Sequence, residues 1–427
     1  MKNLLDELAW RGMVHDTTPD LVSHFNKGLV KGYIGFDPTA ASLHIGNLAT
    51  IMLLKHLQLA GHQPYALVGG ATGMIGDPSG KSKERNLLDE PTLRSNQAGV
   101  RSQLEKFLDF DCGENSARMI NNYDWFKEIG FLDFLRNVGK HLSVNYMMAK
   151  DSVKTRIAAE GKGISFTEFS YQLLQAYDFC HLFKEEGVTL QMGGSDQWGN
   201  ITSGTELIRR MEGCEAFALT TPLLTKADGN KFGKSEAGNV WLDPNLTSPY
   251  KFYQFWLNIA DTEIAKVLRV FTLLPKLEIE SLEQEHATNP NALKKIIAKD
   301  ITIRVHSEKD YQNAVNASEI LFKKSGVTEI LQTLDEKLLL EVFEGVDRYN
   351  VSRDALSVKP NILTFLAEQT SIFSSKGEAR KMISNGGVSI NKQKVNDINA
   401  IVDFTLLQDK YLLVQKGKKN YFLVEAN

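Results

Sequence analysis

Apolar residues in the first third of the chain follow two different periods. KGYIGF (31–36) and PYALVGG (64–70) are short, unbroken apolar runs of the kind that form strands covered on both faces. Between them Ile45, Leu48, Met52 and Leu59 recur at helical spacing, and Gly61 follows as a helix-terminating residue. Strand, loop, helix, strand is a βαβ unit, and its repetition predicts an α/β fold with a parallel sheet over residues 1–225. From about 120 to 165 bulky apolar residues exceed what a crossover needs. That segment fits either an insertion carrying a subunit interface or an extra pair of core helices. Residues 226–245 form a loop region, and 246–350 read as a separate helical domain, charged throughout as in LKKIIAKDITIRVH (293–306). The stretch 351–360 turns polar and ends in Pro360, which suits a linker. From Asn361 a helical start gives way to the alternating runs VSINKQKV, KYLLVQKG and NYFLVEAN, a small α+β domain over 361–427.

Composition narrows the class without changing this outline. With 42% hydrophobic and 24% charged residues and no low-complexity tract, the chain reads as globular throughout. Cys112, Cys180 and Cys214 lie more than thirty residues apart, too far for the close pairs of zinc and redox motifs, and read as reduced, buried thiols. No apolar run approaches the roughly 20 residues that span a bilayer, so no membrane association and a cytoplasmic location are expected. The net charge of −3 is unevenly spread: residues 353–427 hold eleven Lys and Arg against seven Asp and Glu, a balance of +4, which leaves −7 for residues 1–352. A basic tail on an acidic body points to a polyanion partner or to an ordinary solvated surface.

Candidate chemistry sits where the strands end. The first strand runs into GFDPTAASLHIGNLAT (35–50), where Gly35 and Gly46 let a nucleotide approach the backbone. His44 stands at a helix start whose N–H groups attract phosphate, at the strand end where open α/β sheets bind ligands. GGATGMIGDPSGKS (69–82) is neither of the common nucleotide motifs. A P-loop needs glycine where Ile75 stands, and the dinucleotide fingerprint needs a spacing that Gly70, Gly73 and Gly76 lack. What remains is Asp77, a carboxylate in a glycine-rich turn, placed to meet an ammonium group. In FTEFSYQLLQAYDF, Tyr171, Gln175 and Asp178 fall at i, i+4 and i+7, so one helix face offers a phenol, an amide and a carboxylate. Phe169, Leu174, Tyr177 and Phe179 flank that face and argue that it meets a ligand rather than water. MGGSDQWGN (192–200) and KFGKS (231–235) complete the set, the latter with paired lysines on a glycine turn suited to triphosphate charge.

Taken in order, HIGN, GDPSGKS, YQLLQAYD, GGSDQWGN and KFGKS resemble the class I aminoacyl-tRNA synthetases, and within them the bacterial tyrosyl enzymes. HIGN is similar to the family's HIGH and KFGKS to its KMSKS. FLAEQTSIFSSKGEARKMISNGGVSIN (365–391) resembles the family's C-terminal RNA-binding module. The resemblance implies a Rossmann-like catalytic domain, a helical anticodon-binding domain, the small RNA-binding domain, and a homodimer. It further implies that Tyr33 and Asp178 bind the phenolic hydroxyl of L-tyrosine and that Asp77, Tyr171 and Gln175 hold its ammonium group. Gln197 matches a position near the carboxylate, while Gly35, Asp37, Gly46, Gly194 and Asp196 match positions lining the ATP site. Thr39, His44, Lys81, Arg85, Lys231 and Lys234 match residues that grip the outgoing pyrophosphate, and Ser235 ends the mobile loop. Asn47 replaces the second histidine of HIGH, and its amide is still able to donate a hydrogen bond to the nucleotide.

The implied reaction joins tyrosine to ATP, taken with Mg²⁺ and without a metal held by the protein, then passes the tyrosyl group to tRNA(Tyr). Two alternatives stand beside it: another class I synthetase such as the tryptophanyl enzyme, and an inactive RNA-binding relative. The Tyr33 and Asp178 pair speaks against an indole pocket, and His44, Lys231 and Lys234 speak against loss of catalysis.

Overall fold

The computed structural model of the protein describes residues 4–79, 89–158, 163–225, 232–235, 238–322, 328–417 and 420–427. These fall into two compact units: residues 1–248 with 255–306, and residues 249–254 with 307–427.

The first unit is built on five strands, β1 (Lys31–Phe36), β2 (Gln63–Val68), β3 (Arg118–Asn121), β4 (Leu190–Gly194) and β5 (Phe217–Thr221). They pair in the order β3-β2-β1-β4-β5, every pair parallel. β2, β4 and β5 are buried at every position, which is why they read as unbroken apolar runs rather than alternating ones. The chain leaves β1 toward β2 and β3, then returns on the other side of β1 with β4, so strand order reverses between β1 and β4. Such a reversal splays the connections apart at the carboxyl ends of the two strands and opens a crevice there. The register makes the splaying visible. β1 pairs with β2 along its whole length, from Lys31↔Gln63 to Phe36↔Val68, but with β4 only at Gly32↔Leu190 and Tyr33↔Gln191.

Two helices frame that crevice. Ile45–Leu59 follows β1 and is buried along most of its circumference, since Ile45, Leu48, Ala49, Met52, Leu53 and Leu57 are all covered. Phe166–Glu186 begins where Ser165 Oγ accepts the Glu168 N–H and ends at Gly187, whose φ of +68° is the left-handed conformation of a helix terminator. Its first turn is fixed by a buried, two-pronged ion pair in which Arg156 donates to Glu168 at 3.1 and 2.7 Å. Between β3 and that helix the chain forms five short helical pieces within residues 123–158. Part of this segment packs inward, with Trp125, Phe134, Val138, Leu142 and Met147 against the core beside Tyr33 and Phe179. Part faces out, Phe131, Leu132 and Val144 being 65%, 78% and 63% exposed, as is Phe166 at the start of the long helix, 69% exposed.

The stretch expected as one helical domain divides. Residues 255–306 belong to the first unit, where the carbonyls ending the helix Ile264–Phe271 are capped by Arg11 and Arg304 side chains. Residues 307–346 belong to the second unit. There β8 (Asp347–Val351) pairs parallel to β12 (Asn420–Ala426) at the edge of a mixed sheet ordered β10-β9-β11-β12-β8. The remaining strands are β9 (Val388–Ile390), β10 (Gln393–Lys394) and β11 (Tyr411–Lys416). Val351 and the helix Arg353–Ser357 therefore occupy the stretch read as a linker. β8 itself lies, apart from Val351, in the stretch read as helical, and its polarity reflects an edge strand with one solvated side. The helix Lys376–Ser384 packs on this sheet around Phe365, Leu366, Phe373 and Ile383. Of the three free thiols only Cys180 is buried, whereas Cys112 and Cys214 are exposed, contrary to the expectation from spacing alone. Among the described residues no helix is long and apolar enough to cross a membrane.

Candidate active site

The crevice between β1 and β4 is a cavity of about 450 Å³. Tyr33, Gly35, Asp37, Thr39, His44, Gly46 and Asn47 reach it from β1 and the helix that follows. Asp77 comes from the turn after β2, Tyr171, Gln175 and Asp178 from the helix Phe166–Glu186, and Gly194, Asp196 and Gln197 from the end of β4. Every candidate residue with a described side chain thus lines one space. Lys81, Arg85 and Lys231 lie outside the described residues. Lys234 and Ser235 are described as backbone only, forming the two-residue strand β6.

At the deep end, Tyr33 is 1% exposed and its hydroxyl has no hydrogen-bond partner among the described residues. A buried hydroxyl left unpaired is costly, and such groups in native folds await a partner. Beside it lies Asp178, 2% exposed, whose two carboxylate oxygens accept from Asn122 Nδ2 and Trp125 Nε1, each at 3.0 Å. Burial drives the Asp178 carboxyl well above the usual carboxylate range, opposed by these two donors, while the charge of Asp37 pushes it further up. Burial first, and the charge of Asp178 second, raise the Tyr33 phenol well above its ordinary value.

The same donors tie the floor to the rest of the site. Asn122 Nδ2 also approaches Thr72 Oγ1 at 3.0 Å, its Oδ1 accepts the Ala71 N–H at 2.7 Å, and Thr72 Oγ1 donates to Asp37 Oδ1 at 2.7 Å. Tyr171 donates its hydroxyl to the other Asp37 oxygen at 2.7 Å. On the facing wall Gln197 Nε2 donates to Asp77 Oδ2 at 2.7 Å, and Gln175 Nε2 to Gln197 Oε1 at 3.3 Å, leaving the buried Gln175 Oε1 as an unused acceptor. Asp37, Asp77 and Asp178 line a space whose described walls contain no lysine or arginine. Such a wall attracts a cation and offers an ammonium group several acceptors at once.

The open end is made differently. His44 is the residue before the helix Ile45–Leu59, and its own N–H donates to Asn47 Oδ1 at 3.1 Å. The asparagine that departs from HIGH therefore pins the backbone of the histidine while lining the cavity. The Ile45 N–H is taken by the Val240 carbonyl at 2.9 Å, in the segment after KFGKS. The two signature stretches touch through glycines. A side-chain carbon on Gly233, which has φ +86°, would lie 2.9 Å from the Gly46 nitrogen. Phe232 anchors this contact. It is buried, stacks on Phe271 at 5.8 Å and meets Phe255 edge-on at 5.7 Å.

The sequence reading missed Asn122, Trp125, Thr72 and Gln191. Asn122 directly follows β3, at the carboxyl edge of the sheet where ligands bind, and that position was its one available signal. Gln191 is 2% exposed and pairs in register with Tyr33, but it is hidden inside an apolar run.

The family model for class I tRNA synthetases (W and Y) matches residues 26–323, and that of the tyrosine--tRNA ligase SYY-like C-terminal domain matches residues 339–424. The chain is 65% identical to a protein of Cytophaga hutchinsonii named tyrosine--tRNA ligase, with all of each chain covered. A Bacteroides thetaiotaomicron protein of the same name is 58% identical over 99% of this chain and all of its own. Among solved structures, a C-terminally truncated mitochondrial tyrosyl-tRNA synthetase of Aspergillus nidulans matches with a TM-score of 0.67 at 29% identity, covering 75% of this chain and 95% of its own.

Proposed function

The chain belongs to the tyrosine--tRNA ligase family of class I tRNA synthetases, and from that premise we propose that its crevice divides the reaction between a buried floor that reads the amino acid and an open mouth that handles the nucleotide. The reaction activates L-tyrosine with ATP and transfers it to tRNA(Tyr). The observation that carries the division is the partnerless Tyr33 hydroxyl beside an Asp178 carboxylate already oriented by Asn122 and Trp125.

In this reading the substrate phenol inserts between Tyr33 and Asp178, where it satisfies the unpaired hydroxyl and meets a fixed carboxyl. The ammonium group meets Asp77, Gln175 Oε1 and the Tyr171 oxygen, a set of acceptors already held by Gln197 and Asp37. That leaves the tyrosine carboxylate, near Gln197, facing the mouth. It is already ionised, so attack on the α-phosphorus of ATP requires no general base. One P–O bond forms, the bond to the β-phosphate bridge breaks, and negative charge develops on the departing pyrophosphate. Catalysis then rests on positioning and on donors aimed at that charge. Thr39, His44 and the Gly46 N–H stand at the mouth for this purpose, with Lys81, Arg85, Lys231, Lys234 and Ser235 added by the family motifs. Gly35, Asp37, Asn47, Gly194 and Asp196 line the nucleotide's path. ATP enters as its Mg²⁺ complex, the metal riding on the phosphates. Tyrosine-dependent exchange of labelled pyrophosphate into ATP, run across the twenty amino acids, should respond to tyrosine alone, and a response to tryptophan would favour the tryptophanyl reading.

The enzyme acts in the cytoplasm as a homodimer, in our reading, with the outward side chains Phe131, Leu132, Val144 and Phe166 as the apolar surface two copies share. Leu132→Glu should shift the sedimentation of the full-length protein toward a single chain, and an unchanged profile removes this surface from the interface. Residues 361–427 bind tRNA in the second step.

A further inference from the structure

In the C-terminal sheet, β9 turns into β10 through Asn391 and Lys392 alone, with Ile390 paired to Gln393 across the turn. Both central residues have positive φ, 46° and 64°. A two-residue turn of this hand accepts asparagine first and glycine second, so lysine stands where a side chain is disfavoured. A strained residue persists only where its surroundings over-determine it. Here they do. Asn391 is buried, its Nδ2 donates to the Thr405 carbonyl and its Oδ1 accepts the Leu413 N–H, both at 2.8 Å. The Lys392 ammonium is thereby held in place, donating to Tyr421 Oη at 2.7 Å and lying 4.5 Å from the centre of that ring.

What sets this lysine apart is partial burial without a counter-charge: Arg380, Lys381 and Lys394 likewise form no ion pair among the described residues, but all three are exposed. Several basic residues of the same domain are neutralised by neighbours: Lys376 pairs with Glu368 at 3.0 Å, Lys416 with Glu378 at 2.8 Å, and Lys410 with Glu425 at 3.1 Å. Among the described residues no carboxylate pairs with Lys392. The titratable group in contact with it is the Tyr421 phenol, which burial keeps above its ordinary value, and Lys394 is the other charge on its hairpin. A half-buried ammonium on an aromatic face, with no acid beside it, is built for an external anion.

We propose that Lys392, seated on Tyr421, is a binding site for one phosphodiester group of the tRNA backbone. This rests on the reading that residues 361–427 bind tRNA, and it names the contact. Burial also lowers the Lys392 amine to about 8, so it loses its proton just above physiological pH in the free protein, and a bound phosphate would restore it.

Full-length protein tests this with tRNA(Tyr) as the probe. Lys392→Met should raise the tRNA KM roughly tenfold with kcat of charging retained, and should reduce the salt slope of binding by about one. Lys392→Arg, whose charge does not titrate, should keep wild-type affinity at pH 7 and abolish the loss of affinity that the wild type shows between pH 7 and 9. Unaltered KM and salt slope in Lys392→Met, or a pH profile that survives in Lys392→Arg, overturns the assignment. Lysine acetylation footprinting with and without tRNA separates the two levels. Protection of other lysines in 353–427 without Lys392 refutes this contact alone, whereas no protection anywhere in that stretch refutes the tRNA-binding reading itself.

Discussion

The two ends of the crevice solve opposite problems. The floor is a buried network of side chains, Asn122, Trp125, Asp178, Thr72, Asp37 and Tyr171, in which nearly every polar group is engaged before any substrate arrives. The mouth is backbone and glycine: a helix start, the Gly46–Gly233 contact, and a histidine positioned through its own N–H. A floor of this kind discriminates, because a ligand lacking the hydroxyl leaves fixed groups unpaired in a dry site. A mouth of this kind tolerates changing charge, because donors near solvent need not be satisfied in the ground state. On the proposed function, selectivity is invested where water is absent, and rate enhancement where phosphate charge shifts.

If that contrast holds, damage at the mouth should reach the rate and spare tyrosine binding. His44→Ala should slow adenylate formation by about 10²–10³-fold, about 2.7–4 kcal/mol for one preorganised transition-state donor. Stopped-flow adenylate formation beside equilibrium tyrosine binding measures both, and an equal loss in affinity would break the division. Damage at the floor should do the reverse. Asp178→Asn should narrow the tyrosine over phenylalanine ratio in pyrophosphate exchange by about 5–150-fold, the 1–3 kcal/mol of an unmatched buried polar group, and Tyr33→Phe by about tenfold. A ratio unmoved in both variants would remove these residues from the pocket floor.

A finer test lies at the contact between the signature stretches. Gly233→Ala forces a side chain into φ +86° and toward the Gly46 nitrogen at 2.9 Å. The left-handed conformation alone costs about 1–2 kcal/mol, so adenylate formation should fall about 5–30-fold with the amino-acid ratio intact. A changed ratio would mean the two ends are mechanically linked. The smallest effect concerns the opposite edge of the sheet and should touch neither end. His62 Nδ1 accepts the Val30 N–H at 3.2 Å just before β1, and burial, aided by the nearby His24, lowers its pKa from 6.5. His24 is lowered too, by burial and Lys27. Both are neutral in the fold and take a proton more readily when unfolded. Their contribution is therefore whole above pH 6.5 and is lost as pH falls below it. Thermal melts at pH 7.5 and 5.5 should show this loss, reduced in His62→Gln, and coincident melts would count against it.

Local pattern was enough for β1, the helix after it and β2, because a buried parallel strand and a helix differ in period whatever surrounds them. It was also enough to align Tyr171, Gln175 and Asp178, since one helix carries all three. The family motifs extended this to the mouth. What sequence could not supply was everything that depends on strands meeting out of order. Asn122 and Trp125 reach Asp178 across more than fifty positions, and Thr72 reaches Asp37 across 35. Neither pairing leaves a periodic trace. β8 stays hidden inside the stretch that reads as helical for a related reason: it is polar because it is an edge, and only its pairing with β12, seventy-five positions on at Asp347↔Phe422, reveals it as a strand. The chain's own spacing determines which segments are helix or strand and which residue types stand at their ends. Which of those ends share a space, and which polar group is left without a partner there, follows from the order of strands in the sheet, a long-range choice that burial decides.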